Sequence, residues 1–468
     1  MNKKTRKIRI SGNMNANKKY FYNLVFFLLG IVAVIAALHH KENGNLSVLI
    51  GQTIMVTSCY LILYLFLFHF HHEVLEVMRK TLFLILIVLL FLIVTSIVSD
   101  YPGMSIYIIP FAVIPMVIKT FYDARLALFI LPVTIILAGF MVPDPFEFVF
   151  LTFVTGIVAI FSLTNIYRRA KFLFSSVMVI ITYSVLFFGI SLMNGKGIES
   201  INWMEYRWFA GNGILILLSY PVIFLFEKKF YFLSDSTLLE LSNSSQPLLR
   251  RLSEDAPGSF QHSLQVANIA EEAARKIGAN SLLVRTGALY HDIGKIVNPE
   301  YFIENQSEGS SPHDKLDSLS SAKLIIGHVT KGADLARKYK LPVQIIDFIR
   351  THHGTTTAYF FYKKFLDENP QKSEMKNEFV YPGPKPFSKE TAIVMMSDAV
   401  EASSRSLGYH TEENIRELVE RIIYLQEMDG QFSGVPLTYK DISDLKDVFV
   451  KRLANIYHAR IAYPERNS

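Results

Sequence analysis

Long apolar runs dominate the first half of the chain, and shorter periodic ones the second half. Most of the long runs approach the roughly 20 residues that an α-helix needs to cross a bilayer. Eight can be read, at 20–38, 47–70, 81–98, 104–118, 126–142, 146–165, 172–193 and 208–226. The pattern predicts a polytopic transmembrane bundle of about eight helices over residues 20–229. We expect the first segment to be retained rather than cleaved as a secretory signal.

A polar connector at 230–255 precedes a region, 256–468, whose apolar positions recur with the helical period. Ser259 is expected to cap a helix that carries His262 on its apolar side. Further helices are predicted at about Ser281–Asp292, Ser318–Tyr339, Pro342–His352, 388–406, 411–428 and 439–458, with a proline-marked, turn-rich stretch at 368–387. Strand signals are weak. The prediction is therefore an all-α fold, a transmembrane helical bundle followed by an all-helical soluble domain.

Basic residues are distributed unevenly over the predicted loops. If the N-terminus is cytoplasmic, the inside segments carry sixteen Lys and Arg residues, and the outside loops carry only Lys41, Lys196 and Arg207. Short cytoplasmic loops collect positive charge, so the basic tail at 1–19 and the C-terminal domain are both expected in the cytoplasm. Because these clusters account for much of the net charge of +6, a nucleic acid polymer is not expected as a partner.

Two absences narrow the function further. The single cysteine, Cys59, excludes an intrachain disulfide and a cysteine-based metal site. No Asp or Glu lies deep in a predicted span, which disfavours a proton-coupled transporter.

Residues that suit metal binding are set into apolar stretches of the second half, where a charge is costly unless it meets a partner. A single histidine is usually a surface side chain, but several in one helical domain favour a metal-dependent hydrolase. Imidazole and carboxylate ligands without thiolate suit Fe, Mn, Zn or Co. The candidate metal ligands are His262, His291, Asp292, His328, His352, His353 and Asp398.

Asp292 and Lys295 are the predicted catalytic residues. One carboxylate can bridge two metals, and Asp292, adjacent to His291, is suited to that position. Two ions held in this way would activate a bridging hydroxide and clamp the attacking and leaving oxygens of an in-line displacement at phosphorus. Lys295 would place its ammonium on a phosphate oxygen. The equal alternative for Lys295 is a solvated lysine at a helix end.

The order of these motifs resembles the HD superfamily of phosphohydrolases. More closely, it is similar to the seven-transmembrane HD family of cyclic di-AMP phosphodiesterases, over roughly residues 47–460. The resemblance is carried by GALYHDIGK at 287–295, the histidine of IIGHV, the HHGT string, MMSDAVEA and SPHD at 311–314. One departure is large, because Leu38 to Ser47 replaces the long extracellular domain that family members usually carry between the first span and the other seven.

The resemblance implies a complete dinuclear centre. The first metal would be held by His262, His291, Asp292 and Asp398, and the second by Asp292, His328, His352 and His353. The metals would be iron or manganese, and the product of cyclic di-AMP hydrolysis would be the linear dinucleotide pApA. His313, in SPHD, is expected to be a solvent-contacting loop residue.

Three readings follow for function. The leading one is a multi-pass protein of the bacterial cell membrane that hydrolyses cyclic di-AMP and so controls the level of a second messenger. Hydrolysis of cyclic di-GMP or another nucleotide is an alternative, although the Gly-Tyr-Pro signature of the cyclic di-GMP branch is missing near HHGT. The other is a membrane receptor that senses nucleotide without cleaving it. The expected partners are the substrate and the lipid bilayer, and the sequence also allows a homo-oligomer.

Overall fold

The computed structural model describes residues 16–39, 46–163, 169–195, 197–306 and 311–457. It divides the chain into two compact units, Met1–Ser234 and Asp235–Ser468. Most of the predicted tail at 1–19, and residues 40–45 of the predicted first loop, lie outside the described residues.

In the first unit, the described residues form ten α-helices. They are α1 Ala16–His39, α2 Leu46–Phe70, α3 His72–Glu76, α4 Met78–Asp100, α5 Val113–Phe121, α6 Ala124–Gly139, α7 Pro145–Ser162, α8 Arg169–Met193, α9 Tyr206–Leu217 and α10 Ser219–Phe230.

Six helical segments of the described chain are long and apolar enough to cross a membrane: Tyr20–Leu38, Leu46–Phe70, Met78–Asp100, Pro145–Ser162, Ala170–Met193 and Trp203–Phe230. Two shorter apolar segments, Ile106–Phe121 and Ala124–Gly139, lie between them in the sequence. Each of the eight predicted apolar runs corresponds to one of these segments.

The shortest predicted span, 104–118, is α-helical only from Val113, where α5 begins. A single 3₁₀ turn, Ile106–Ile108, leads into Pro110, so the backbone there is not α-helical. The fully buried Asn212 of α9 donates from Nδ2 to the carbonyl oxygens of Tyr107 and Ile109, each at 2.8 Å. Irregular backbone is tolerated in apolar surroundings only when protein groups satisfy it in this way.

The second unit is also helical. Its described α-helices are α11 Asp235–Leu241, α12 Pro247–Asp255, α13 Pro257–Lys276, α14 Ser281–Tyr290, α15 Ser318–Lys338, α16 Val343–Thr351, α17 Tyr359–Glu368, α18 Lys389–Ser404, α19 Glu412–Met428 and α20 Tyr439–Tyr457. Short 3₁₀ helices occur at Ile293–Val297, Pro299–Tyr301, Ile303–Asn305, Pro312–Lys315 and Ser373–Phe379. The β-pairing in the described chain is one isolated bridge, Thr357 with Val380. The predicted all-α fold is confirmed.

Two local expectations differ from the structure. Helix α13 begins at Pro257, with Ala256 as its N-cap, because proline at the first helical position presets φ and needs no hydrogen bond. Ser259 is therefore inside the first turn, and its hydroxyl donates to Glu304 at 2.7 Å instead of capping. Helix α17 extends to Glu368, and a 3₁₀ helix occupies Ser373–Phe379 within the stretch predicted to be turn-rich.

The segment predicted as a connector contains two helices. In α12, Leu248, Leu249 and Leu252 form a buried face, and Leu238 of α11 is buried as well. Both helices contact others of the second unit, α11 with α14 and α12 with α13.

The core of the second unit is arranged around α13, which contacts α14, α18, α12 and α20. Close approach of the backbone fixes the turn after α14. At Gly294, an added Cβ would lie 1.9 Å from the carbonyl oxygen of His328, so only glycine allows this turn to pack against α15. This contact brings the end of α14 beside the middle of α15.

Candidate metal centre

The structure brings all seven candidate ligands into one cluster. Their positions are His262 in α13, His291 and Asp292 just after α14, His328 in α15, His352 and His353 just after α16, and Asp398 in α18. Six of them are buried, with no more than 6% exposure, and His353 is half-buried. Elements separated by more than a hundred residues thus contribute to one polar site within the core.

The local fold explains why His291 and Asp292 point into this cluster. We expected α14 to reach Asp292, but it ends at Tyr290, and a 3₁₀ turn begins at Ile293. His291 and Asp292 therefore lie in the turn between these two helices, where both side chains can face the centre.

One carboxylate oxygen of Asp292 faces a first group of ligands. Its Oδ2 lies 3.3 Å from Nε2 of His291 and 3.6 Å from Nε2 of His262. Oδ1 of Asp398 lies 2.9 Å from Nε2 of His262 and 3.6 Å from Nε2 of His291. These distances between ligand atoms leave room for one cation among the four side chains.

The other oxygen of Asp292 faces a second group. Its Oδ1 lies 3.3 Å from Nε2 of His328 and 3.7 Å from Nε2 of His352. Ligand atoms of His328, His352 and His353 all lie within 4.8 Å of one another. The carboxylate of Asp292 therefore stands between two sets of histidines, one beside each oxygen.

The protonation state of three histidines supports cation binding. The Nδ1 atoms of His291, His328 and His352 lie 2.6, 2.6 and 2.9 Å from the carbonyl oxygen three residues earlier in each case. A carbonyl can only accept, so each Nδ1 carries a proton, and in the neutral ring each Nε2 presents a lone pair. Metal-binding histidines are oriented in this way.

Two of these lone pairs face each other. Nε2 of His328 lies 3.0 Å from Nε2 of His352, a repulsive arrangement of two acceptors unless a cation lies between or beside them. In the described chain, Nε2 of His291 and both oxygens of Asp292 are buried without a hydrogen-bond partner, although Oδ2 of Asp292 is in ion contact with Lys295 at 2.7 Å. Buried polar groups are rarely left unpaired. The nitrogen and oxygen donors therefore fit divalent metal ions.

The pKa shifts within the cluster are also those expected of a cation-binding site. Burial opposes ionisation of Asp292, but His291 and Lys295 outweigh it and hold the pKa of Asp292 well below its usual range. Burial and the neighbouring His353 lower the pKa of His352, so this ring is neutral, as a ligand must be. Burial would lower the pKa of His291, but Asp292 and Asp398 raise it to about 10. Surroundings that favour a proton on His291 also favour a metal cation there.

A cavity of about 510 Å³ opens onto the centre. It is lined by ligands from both groups, among them His262, His353 and Asp398, and by Lys295. The remaining wall includes side chains of α18 and α19. The centre is thus accessible to a ligand from one side.

Two family models match the chain in succession. The model for the 7TM receptor with intracellular HD hydrolase matches residues 46–234, and the model for the HD domain matches residues 259–403. The chain belongs to this seven-transmembrane HD family. The first of these matches begins at α2, so α1 lies before the matched residues.

Two bacterial relatives are similar to most of this chain. The chain is 35% identical to the cyclic-di-AMP phosphodiesterase PgpH of Bacillus subtilis, over 91% of this chain and 61% of the relative. It is 37% identical to PgpH of Listeria monocytogenes, over 77% of this chain and 50% of the relative. The chain therefore spans about half to three fifths of the length of these relatives.

A solved structure of the L. monocytogenes PgpH HD domain in complex with cyclic-di-AMP is 44% identical to this chain. It covers 47% of this chain and all of that domain, with a TM-score of 0.44.

Lys295 lies inside the site of the HD domain and is not a solvated lysine. Its ammonium is 2.7 Å from Oδ2 of Asp292 and 2.7 Å from Oε1 of Glu304. Ser259 donates to the same oxygen of Glu304. Burial would lower the pKa of Lys295, but the two carboxylates raise it, so the side chain is a fixed cation beside the proposed bridge.

Sequence reasoning missed Glu401, which supports His262. Nδ1 of His262 lies 2.5 Å from Oε2 of Glu401, and Arg405 donates to the other oxygen of that carboxylate at 2.6 Å. Glu401 follows Asp398 by three residues and so shares its face of α18. The spacing of Asp398 and Glu401 is visible in MMSDAVEA, but the sequence does not show that His262 of α13 is the partner of Glu401.

Gln431 is a second missed residue, and it supports the HHGT turn. Gly354 has a φ of +52°, which glycine adopts without strain. The next residue, Thr355, donates from its backbone nitrogen to Oε1 of Gln431 at 3.1 Å. Gln431 is 1% exposed, so this buried amide fixes the turn immediately after His352 and His353.

His313 makes more protein contacts than expected of a solvent-contacting loop residue. Its Nε2 lies 2.9 Å from the carbonyl oxygen of Tyr301, and its ring contacts the rings of Tyr301 and Phe361. His313 is half-buried, and its contacts connect the 3₁₀ helix Pro312–Lys315 to the 3₁₀ helix Pro299–Tyr301 and to α17.

Proposed function

We propose that the chain is a metal-dependent phosphodiesterase of the bacterial cell membrane that hydrolyses cyclic di-AMP to pApA. The observation that carries the proposal is the position of Asp292, whose two oxygens face two separate groups of histidines. Two relatives that are cyclic-di-AMP phosphodiesterases, 35% and 37% identical to this chain, support the substrate.

Two divalent ions, iron or manganese, would occupy the centre in this proposal. His262, His291, Asp292 and Asp398 would hold one ion, and Asp292, His328, His352 and His353 the other. A pair of ions supplies positive charge to the attacking and leaving oxygens of an in-line displacement at phosphorus. Imidazole and carboxylate donors suit these metals.

The remaining side chains of the site orient its parts and balance charge. Glu401 holds the proton on Nδ1 of His262, so that Nε2 faces the metal position. Lys295 lines the cavity and is charged, which suits it to bind a phosphate oxygen as negative charge builds up. Glu304, 2.7 Å from the ammonium, keeps Lys295 in place when Asp292 is engaged by metal.

The membrane organisation is part of the proposal. The proposed organisation is a cytoplasmic tail at 1–19, a transmembrane region at 20–229, a connector at 230–255 that contains α11 and α12, and an HD phosphohydrolase domain at 256–468. The loop charges support a cytoplasmic position for both termini, where a soluble nucleotide messenger would reach the catalytic domain.

The test uses the full chain purified in detergent and loaded separately with Fe²⁺ or Mn²⁺. Cyclic di-AMP and cyclic di-GMP are supplied at equal concentration, and the products are identified by chromatography and mass. We expect pApA to accumulate, with slower turnover of cyclic di-GMP. Faster turnover of cyclic di-GMP would make that nucleotide the substrate instead. Binding of cyclic di-AMP without any product over hours would identify the chain as a receptor.

A further inference from the structure

The cavity extends beyond the metal ligands along α18 and α19. Met395, Ala399 and Ala402 of α18 and Gln426 of α19 line this part. Met395 and Ala402 lie on either side of Asp398 along α18, each about one helical turn, or roughly 5.4 Å, away. A nucleotide whose phosphate is beside Asp398 would therefore bring its base against this wall.

This part of the wall is mostly apolar. Methyl groups of two alanines and the thioether of Met395 offer a surface suited to the flat face of a purine. Arg405 also lines the cavity, but its guanidinium is already bonded to Glu401 at 2.6 and 3.1 Å.

Gln426 is the polar exception. Its side chain is 8% exposed, and its Nε2 lies 3.5 Å from the carbonyl oxygen of Met395. Oε1 is buried and has no hydrogen-bond partner among the described residues. Turning the amide over would place Oε1 against the Met395 carbonyl, so that two acceptors would face each other. The contact of Nε2 with the Met395 carbonyl therefore favours the orientation in which Oε1 is left without a partner.

We propose that Gln426 is a specificity-determining residue, whose Oε1 accepts a hydrogen bond from the 6-amino group of a purine in the substrate. The inference rests on the proposed phosphodiesterase function and deepens it. Adenine presents an amino donor at position 6, whereas guanine and hypoxanthine present an acceptor oxygen there. A 6-oxo purine would leave Oε1 unpaired and facing a second acceptor, and a site built for a hydrogen bond rejects such an analogue.

The experiment compares two substrates that differ at this group alone. The full chain in detergent, loaded with Mn²⁺, is given cyclic di-AMP or cyclic di-IMP, and kcat/KM is measured for each. We expect the parent to prefer cyclic di-AMP, and Gln426→Met, which removes the acceptor and keeps the length, to reduce the preference by about tenfold or more. Tyr424→Ala, at an exposed position of α19, is the control and should keep the parent's preference.

Structural damage alone would lower kcat/KM for both substrates together and leave their ratio unchanged, and an unchanged ratio in Gln426→Met overturns the inference. If that variant does not fold, Gln426→Leu decides, because it also removes the acceptor and should also reduce the preference for cyclic di-AMP. An unchanged preference in Gln426→Leu would likewise overturn the inference. A parent enzyme that cleaves bis(p-nitrophenyl) phosphate but not cyclic di-AMP would show instead that the proposed function itself is wrong.

Discussion

At the scale of single residues, the chemistry of the centre depends on which atoms present lone pairs. Three histidines use a backbone carbonyl to fix the proton on Nδ1, and His262 uses Glu401 for the same purpose. The residue types, their apolar surroundings and the family resemblance predicted the seven residues that the structure brings together. The identity of the supporting groups was not predicted, because Glu401 is 139 residues from His262 in sequence.

The two faces of Asp292 predict different effects for two substitutions. Asp292→Ala removes the carboxylate that faces both groups of histidines, so metal content should fall at both positions. His328→Ala removes a donor near Oδ1 alone and should mainly weaken one position. Metal analysis of the full chain after dialysis measures both, with Glu420→Ala, an exposed change on α19, as the control. Equal metal content in Asp292→Ala and the parent would refute the bridging role.

Asp347 provides a pH-dependent prediction away from the centre. Burial raises its pKa from 3.8 to about 6, and Arg350 offsets this only in part. The unfolded chain releases this proton at lower pH than the folded chain does, so Asp347 costs stability progressively as pH rises from about 4 to about 6. The cost then stays constant, at about 1 kcal/mol after allowance for partial solvent screening.

Asp347→Asn should therefore raise the thermal unfolding temperature in detergent at pH 7.5 by a few degrees, about 2–4 °C. Near pH 4 the variant and the parent should unfold at the same temperature. An equal gain at both pH values would mean that the carboxylate's charge is not the cause.

At the scale of elements, long patterns were predicted well and local starts and stops less so. The eight apolar runs correspond to helical segments because their length is set by the bilayer. Ser259 was misassigned because Pro257 can begin a helix on its own. Helix α17 was missed because Phe365 is its one buried residue, and packing of that side chain with Ala322 and Phe379 holds it in place. Such contacts depend on tertiary structure and leave little periodic signal.

The HHGT turn leads to a prediction at this scale. Gln431→Leu removes the acceptor of the Thr355 backbone nitrogen and leaves a buried donor unpaired, at a cost of about 1–3 kcal/mol. Since the turn directly follows His352 and His353, metal affinity should fall by about tenfold, in the range known for supporting groups.

Isothermal titration calorimetry of the metal-free full chain with Mn²⁺ measures this affinity. Gln431→Glu keeps the acceptor oxygen and should recover most of it. If Gln431→Leu binds Mn²⁺ as tightly as the parent, the turn does not support the metal centre.

At the scale of the whole molecule, the chain joins a membrane unit to a hydrolase-like unit. The family match and the six long apolar segments make it a membrane protein. Its orientation rests on loop charges alone. The basic clusters that account for much of the net charge of +6 would keep the loops that carry them on the cytoplasmic side.

A labelling experiment in intact cells tests this orientation, starting from a Cys59→Ser background without other thiols. Gly197→Cys lies in the predicted loop between 194 and 207, where an added Cβ meets no atom within 4 Å. Ser443→Cys lies at an exposed position of α20. A membrane-impermeant maleimide should label Gly197→Cys in intact cells and Ser443→Cys only after permeabilisation. The reverse pattern would place the metal centre outside the cell, where cytoplasmic cyclic di-AMP could not reach it.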